Sequence, residues 1–304
     1  MRLRDFTAIF VALIAAVLGM TVVPQNFVPW LEHVPFYTLM GSLYISFVPL
    51  DMGATMRLAW HNKHSFIIYT LIRHLVISSA VFGIFYMIMP DYRLPALLIA
   101  GASIASAAPF LAYLAGADVG LTTVLTIMSS AIVPFTLPFL VAILMGSSIE
   151  ISKLSMMFTL AQIIVVPAVA AFFTRSSRWL STKVAEQGYF WGMMMVFLSC
   201  IAIFARYKND LLSSPDIAWE AFLASWFTAF SLIALGFLYS LFCRDALKDV
   251  VILCEVETNL TLAIVLGAQF FGPREAITGV MYILPFYAAV PLLHIIFSLR
   301  KTKA

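Results

Sequence analysis

The sequence predicts an all-α integral membrane protein with ten transmembrane helices, and three observations support this fold class. Apolar residues make up 62% of the 304 positions and charged residues 11%, with a mean hydropathy of +1.00, whereas soluble domains have about 45–50% apolar and about 25% charged residues. The apolar residues fall into ten segments, and the basic residues concentrate in every second connection between them. We therefore expect almost the whole chain to lie in the bilayer.

Each apolar segment is close to the length of about 20 residues that a membrane-spanning helix needs. The predicted spans 1 to 10 cover residues 6–24, 34–50, 65–89, 94–116, 120–146, 151–174, 187–206, 217–243, 248–270 and 275–298. Span 1 is predicted to be a membrane helix and not a cleaved signal, because it has no small-residue cleavage site. The longest loops are predicted at 25–33, 51–64, 175–186 and 207–216. They are too short for a domain, so we expect the function to lie between the helices.

The distribution of Lys and Arg predicts the orientation of the chain. With the N-terminus inside, the cytoplasmic segments hold twelve of these residues and the opposite side holds five. Cytoplasmic loops carry such an excess of positive charge. We therefore expect an even number of spans and two cytoplasmic termini, an arrangement that suits a bacterial inner membrane.

Charge and motifs argue against several function classes. The net charge of +3 is scattered over short loops, which predicts no nucleic-acid partner. The three cysteines lack the paired spacing of a disulfide framework or a zinc site. No HExxH or GxSxG motif and no pair of intramembrane aspartates is present, so we expect a transporter and not an enzyme. A channel or a sensor stays open as an alternative, and so does the oligomeric state.

A short motif that occurs twice indicates an internal repeat. Ala131-Ile-Val-Pro-Phe135 in span 5 recurs as Tyr282-Ile-Leu-Pro-Phe286 in span 10, at an offset of 151 residues in a chain whose half-length is 152. A repeat of five spans forces the two halves into opposite orientations. The sequence therefore predicts two inverted five-helix repeats, residues 1–150 and 151–304.

Two spans carry features of interrupted helices. Span 4 contains small residues that end in a proline, from Gly101 through Ser106 to Pro109, and proline disfavours helix in the residue before it. Span 9 contains the most polar window of any span, Cys254–Asn259. Broken helices in membranes line cavities and point to binding sites. We expect the two breaks to meet near the midplane, although a simple proline kink stays an alternative for span 4.

Four ionisable side chains lie deep in predicted spans. Glu255 and Glu257 are about 10 Å along span 9, and Arg73 and His74 are about 13 Å along span 3, at 1.5 Å per residue. A charge at such a depth needs a partner or water. Arg73 is predicted either to pair with a glutamate or to contact an anionic solute. His74 is predicted either to carry a proton or to make a helix contact.

Hydroxyl groups follow one face of span 5. Thr122, Thr126 and Ser129 recur at helical spacing, and they could bind a ligand or only bond the backbone of their own helix. Asp118, just before this span, is predicted to be a helix N-cap.

These features together resemble the bile acid:sodium symporter superfamily. The matching segments are Ala112–Asp118 leading into Leu121–Thr126, Thr136–Pro138, and Glu255–Asn259. The resemblance implies a panel domain and a core domain, with spans 4 and 9 crossing in the core. It also implies that a small organic anion moves through the crevice between the domains by alternating access.

The resemblance also implies ion sites. Glu255 would be shared by two sodium ions, Thr122 and Thr126 would serve the first, and the second would use Val256, Thr258 and Asn259, partly through main-chain carbonyls. Ser106 and Pro109, in the span 4 break, are further candidates for binding an ion or the solute.

Three residues depart from the family pattern. Ala108-Pro109 replaces a serine-asparagine pair, Arg73 replaces a glutamine, and Glu257 replaces a glycine. We hypothesise that Arg73 neutralises Glu255 in place of sodium. Coupling to sodium, coupling to protons and uncoupled transport all stay open.

Overall fold

The computed structural model describes residues 7–146, 152–213 and 215–303, and within these ranges the chain is helical with no β-strand. The helices are α1 (Thr7–Thr21), α2 (Val28–Leu31), α3 (Val34–Phe47), α4 (Met52–His61), α5 (Lys63–Leu71), α6 (Ser78–Ile88), α7 (Arg93–Gly101), α8 (Ala108–Ala115), α9 (Val119–Met145), α10 (Lys153–Arg175), α11 (Arg178–Arg206), α12 (Lys208–Ser213), α13 (Pro215–Ser240), α14 (Asp245–Val256), α15 (Leu260–Leu266), α16 (Pro273–Met281) and α17 (Ile283–Lys303). Two π-helical segments, Ile72–Ile77 and Gly267–Phe271, continue α5 and α15. Arg2, Arg4 and the predicted repeat boundary at 150/151 lie outside the described residues.

Several helices have the length and composition of membrane spans. Those that qualify singly within the described ranges are Lys63–Ile88, Val119–Met145, Lys153–Arg175, Pro215–Ser240 and Pro273–Arg300. Two bent helix pairs raise their number from five to seven if each pair crosses once. Predicted spans 2, 4 and 9 are short or broken helices. The membrane-helix fold class is confirmed at this level, while the count of ten spans and the inverted repeat stay predictions.

Each of the four predicted loops contains helical residues, with α2 in 25–33 and α12 in 207–216, and the prediction is most clearly wrong in the other two. Residues 52–61 form α4, whose N-cap Asp51 accepts a hydrogen bond from the Ala54 backbone N–H at 3.0 Å. Helix α11 begins at Arg178 and not at residue 187. Both stretches contain charged residues that interrupt the apolar run. An apolar run identifies only a helix surrounded by lipid, so it does not identify a helix that continues into water.

Local sequence rules explain the ends of the helices around span 4. Pro109 occupies the first turn of α8, where its missing N–H has no helical partner to lose. Gly116 ends α8 with a φ of 81°, a left-handed conformation that glycine adopts without strain. Asp118 then caps α9 by accepting a hydrogen bond from the Leu121 N–H at 2.8 Å, which confirms the predicted N-cap.

The two predicted helix breaks are present. Residues 102–107 separate α7 from α8, and residues 257–259 separate α14 from α15. The two extended segments run antiparallel and pair at Ile104 and Thr258. Helix α11 packs on α1, α3 and α10, whereas α13 packs on α7, α14, α16 and α17.

Candidate functional site at the paired helix breaks

The two breaks satisfy each other's backbone hydrogen bonds. The Ala105 N–H donates to the Glu257 carbonyl at 2.7 Å, and the Asn259 N–H donates to the Ser103 carbonyl at 2.6 Å. Backbone groups that leave a helix inside a membrane need such partners, because lipid offers none. The pairing therefore fixes the end of α7 against the end of α14.

Arg73 lies between the C-terminal ends of these two helices. Its side chain is completely buried. Its Nη1 donates to the Ala102 carbonyl at 2.8 Å, and its Nε donates to the Cys254 carbonyl at 3.3 Å. The last carbonyls of a helix have no partner within the helix and carry partial negative charge. The guanidinium thus occupies a position where two helix C-termini both favour a cation.

Glu255 supplies the formal negative charge at this position. Its Oε2 lies 3.9 Å from the Arg73 Nε, and both side chains are fully buried. Neither carboxylate oxygen of Glu255 accepts a hydrogen bond from the described part of the chain, so the compensation is the charge of the nearby guanidinium. Of the two partners that the sequence left open for Arg73, the structure places Glu255 in the ion pair.

Glu257 has a different environment, although it is only two residues away. It is the first residue beyond α14, and its side chain is fully buried. Its two carboxyl oxygens have no hydrogen-bond partner in the described chain, and neither does the Thr258 hydroxyl beside it. The break thus directs one glutamate to Arg73 and leaves the other without a cation partner among the described residues.

His74 and Ser129 form a hydrogen-bonded chain beside the ion pair. The His74 Nδ1 lies 3.2 Å from the Gly101 carbonyl, which can only accept, so this nitrogen carries the hydrogen. The His74 Nε2 lies 2.8 Å from the Ser129 hydroxyl, and that hydroxyl accepts the Ile104 N–H at 2.9 Å. Both ring nitrogens are therefore engaged in holding the α7 end and the first break.

Three residues of the site were not predicted. The Tyr282 hydroxyl donates to the Val256 carbonyl at 3.0 Å, and the Tyr69 hydroxyl donates to the Val251 carbonyl at 3.4 Å. Gly236 on α13 faces Glu255, and a Cβ there would lie 3.1 Å from the Glu255 Cγ. A tyrosine deep in a span needs a hydrogen-bond partner, and that signal was available in the sequence for both tyrosines.

The remaining predicted site residues have local roles. The Thr122 hydroxyl donates to the Asp118 carbonyl and the Thr126 hydroxyl to the Thr122 carbonyl, both on their own helix. The Asn259 Oδ1 caps α15 by accepting the Leu262 N–H at 3.1 Å. Ser106, in the first break, and Pro109, in α8, are partly exposed.

Comparison with known proteins supports the resemblance seen in the sequence. The model of the sodium bile acid symporter family matches residues 43–215, more than half of the chain. The match includes Arg73, His74, the first break and Ser129, and it ends before Glu255. None of the curated proteins matches the chain significantly.

Proposed function

The chain belongs to the sodium bile acid symporter family, and from this premise we propose that it carries a small organic anion by alternating access without a sodium ion beside Glu255. The observation that carries this proposal is the position of the Arg73 guanidinium. It contacts carbonyls at the ends of both broken helices and pairs with Glu255. The two carbonyls and the Glu255 carboxylate are the groups that would otherwise attract a metal cation.

The positive charge of Arg73 favours a carrier without a sodium ion beside Glu255. An arginine cannot lose its proton in a protein, so the site holds a permanent positive charge. A sodium ion next to Glu255 would face that charge at short range, in a medium that screens it poorly. Arg73 therefore supports a carrier in which the cation is a covalent part of the protein.

Three of the other side chains implied for sodium have local roles within their own helices. The hydroxyls of Thr122 and Thr126 bond their own helix, and the Asn259 amide caps α15. Ala108 and Pro109 stand where the family has side-chain oxygens, and they provide none. The missing oxygens at Ala108 and Pro109, together with Arg73, support the proposal that no sodium ion is bound beside Glu255.

We propose the bacterial inner membrane as the location, with both termini in the cytoplasm.

The test is the thermal unfolding of the purified protein in sodium chloride and in choline chloride. We expect the same unfolding temperature in both salts for the wild type. Arg73→Gln leaves Glu255 without its partner, so this variant should become more stable in sodium than in choline. A ligand at 100 times its Kd stabilises by about 2.7 kcal/mol, which such a measurement resolves. The double variant Arg73→Gln/Glu255→Gln is the matched control and should lose the sodium response.

A sodium-specific stabilisation of the wild type that disappears in Glu255→Gln would overturn the proposal. Transport is tested separately, by the uptake of radiolabelled carboxylates into proteoliposomes with and without a sodium gradient. We expect equal uptake under both conditions. Uptake that requires the sodium gradient would contradict the proposal independently of the unfolding measurement.

Glu257 favours a second candidate, a carrier coupled to protons. An ionised carboxylate that is buried without a partner is costly, and binding a proton removes that cost. Under this alternative, uptake would follow a pH gradient, and Glu257→Gln would abolish that dependence. Uncoupled exchange predicts that neither a sodium nor a pH gradient drives uptake.

A further inference from the structure

A second charged site lies at the C-terminal end of α11. A cavity of about 380 Å³ opens between α3, α10 and α11 on one side and the π-helical segment Gly267–Phe271 on the other. It is large enough for a small metabolite and lies near the lower limit of the about 300–1,000 Å³ typical of small-molecule sites.

Arg206 provides the positive charge of this cavity. It is the last residue of α11, and its Nη2 lies 3.6 Å from the Glu32 Oε1. The arginine side chain is 29% exposed and the glutamate 54% exposed. An ion pair in contact with water contributes little stability and exchanges partners readily. The guanidinium is therefore available to a competing carboxylate, which it binds through two parallel hydrogen bonds.

Two glutamines on different helical segments line the cavity. Gln162 lies on α10, about 14 Å along the helix from Lys153 at 1.5 Å per residue, and Gln269 lies on the π-helical segment. Both side chains are exposed, so their amide groups can bond the oxygens of a polar ligand. These two amide groups give the cavity the chemistry of a binding site rather than that of a lipid-filled gap.

We propose that this cavity binds a small polar carboxylate, with Arg206 as the residue that recognises the carboxylate and Glu32 as the counter-ion that the ligand displaces. This inference deepens the proposed function, because it names the class of the transported anion and a site for it. Gln162 and Gln269 bond the polar remainder of the ligand.

The cavity is connected to the broken helices. The Tyr207 hydroxyl, next to Arg206 in sequence, donates to the Ala268 carbonyl at 3.4 Å. Ala268 and Gln269 belong to the segment that continues α15, and α15 begins at the second break. A ligand that contacts both Arg206 and Gln269 therefore bridges α11 and the helix that carries the break.

The charge of the cavity is tested by thiol labelling of the full-length protein. Tyr37→Cys, at an exposed position that lines the cavity and has no assigned contact to the ligand, is placed in a Cys243→Ser background, because the other two cysteines, Cys200 and Cys254, are buried. The reagents are the anionic sulfonatoethyl and the cationic trimethylammonioethyl methanethiosulfonates, and mass spectrometry gives the rates. We expect Arg206→Gln to slow the anionic reagent about five-fold and to accelerate the cationic reagent about five-fold, the effect of one unit charge in a wet site. Glu32→Gln should accelerate the anionic reagent and slow the cationic one by similar factors.

The ligand class is tested in the same protein with lactate and succinate as probes. Both should slow labelling at constant ionic strength, whereas neutral lactamide and chloride should not, and Arg206→Gln should remove the protection. An unreactive cysteine, or labelling rates that do not depend on the charge of the reagent, would overturn the proposed site. Absence of protection by both carboxylates would overturn the ligand class. Labelling requires neither transport nor sodium, so these outcomes are separate from a failure of the proposed function.

Discussion

Two arginine–glutamate pairs in this protein have similar separations and very different surroundings. Arg73 and Glu255 are 3.9 Å apart and fully buried, whereas Arg206 and Glu32 are 3.6 Å apart and partly exposed. Burial raises both the attraction within a pair and the cost of leaving one charge alone. Exposure makes a pair weak and easily exchanged. Distance alone therefore does not tell which pair holds the fold together and which is free to bind a ligand.

The largest effect is expected when the buried pair is broken. Glu255→Gln leaves the Arg73 charge buried without compensation, so the free energy of unfolding should fall by about 3–5 kcal/mol. Unfolding in mixed micelles by increasing SDS measures this change. Arg73→Met/Glu255→Met removes both charges at similar volume and should recover part of the loss. A Glu255→Gln protein as stable as the wild type would show that the buried pair is not a structural unit.

Replacing a neutral group in the same region separates the effect of a lost hydrogen bond from that of a lost charge. Ser129→Ala removes the acceptor of the Ile104 N–H and the partner of the His74 Nε2. An unsatisfied buried polar group costs about 1–3 kcal/mol, so the loss should be smaller than that of Glu255→Gln. The matched control is Ser130→Ala, because Ser130 is buried on the same helix and lies outside this hydrogen-bonded chain. Equal effects of the two serine variants, measured by the same SDS titration, would refute the role of Ser129.

Much of the fold could be predicted from the sequence, since the signals are local. Apolar runs indicate membrane helices, Asp118 caps α9, and Pro109 and the polar window at residues 255–259 indicate the breaks. The partner of Arg73 could not be chosen, because Glu255 and Glu257 are two residues apart and only the path of the backbone at the end of α14 decides which of them faces Arg73. The cavity at Arg206 was not predicted at all. Its residues come from four distant segments, and Arg206 by itself resembles any residue at the end of a span.

The exposed pair should respond to salt and contribute little to stability. Glu32→Gln and Arg206→Gln should each change the free energy of unfolding by less than about 1 kcal/mol. That small change should shrink further at 1 M salt, where the Debye length is about 3 Å. The loss caused by Glu255→Gln should hardly change with salt, because buried charges are screened little. A large loss of stability in Glu32→Gln would mean that the Arg206–Glu32 pair is structural. That result would weaken the assignment of Glu32 as a displaceable counter-ion.

The smallest effect is expected at a third ion pair, which is the closest of the three. The Lys248 Nζ lies 2.7 Å from the Asp245 Oδ1 at the start of α14, and the aspartate is 96% exposed. The hydrogen bond and the charge of Lys248 lower the pKa of Asp245 from its ordinary value of 3.8. A lowered pKa gives stability that is present above the ordinary value and is lost as the pH falls through the lowered one.

Lys248→Met should therefore raise the pKa of Asp245 toward 3.8, which carbon-13 NMR of the labelled carboxyl groups measures. Asp51 is the internal control, because its pKa is lowered chiefly by the Ala54 backbone N–H and should not respond to Lys248→Met. If the unfolding free energy of Lys248→Met fell as far as that of Glu255→Gln, distance would outweigh burial and the ranking of the three pairs would be reversed. We expect the opposite order, since water competes for both partners of the Asp245 pair and cannot reach those of the Arg73 pair.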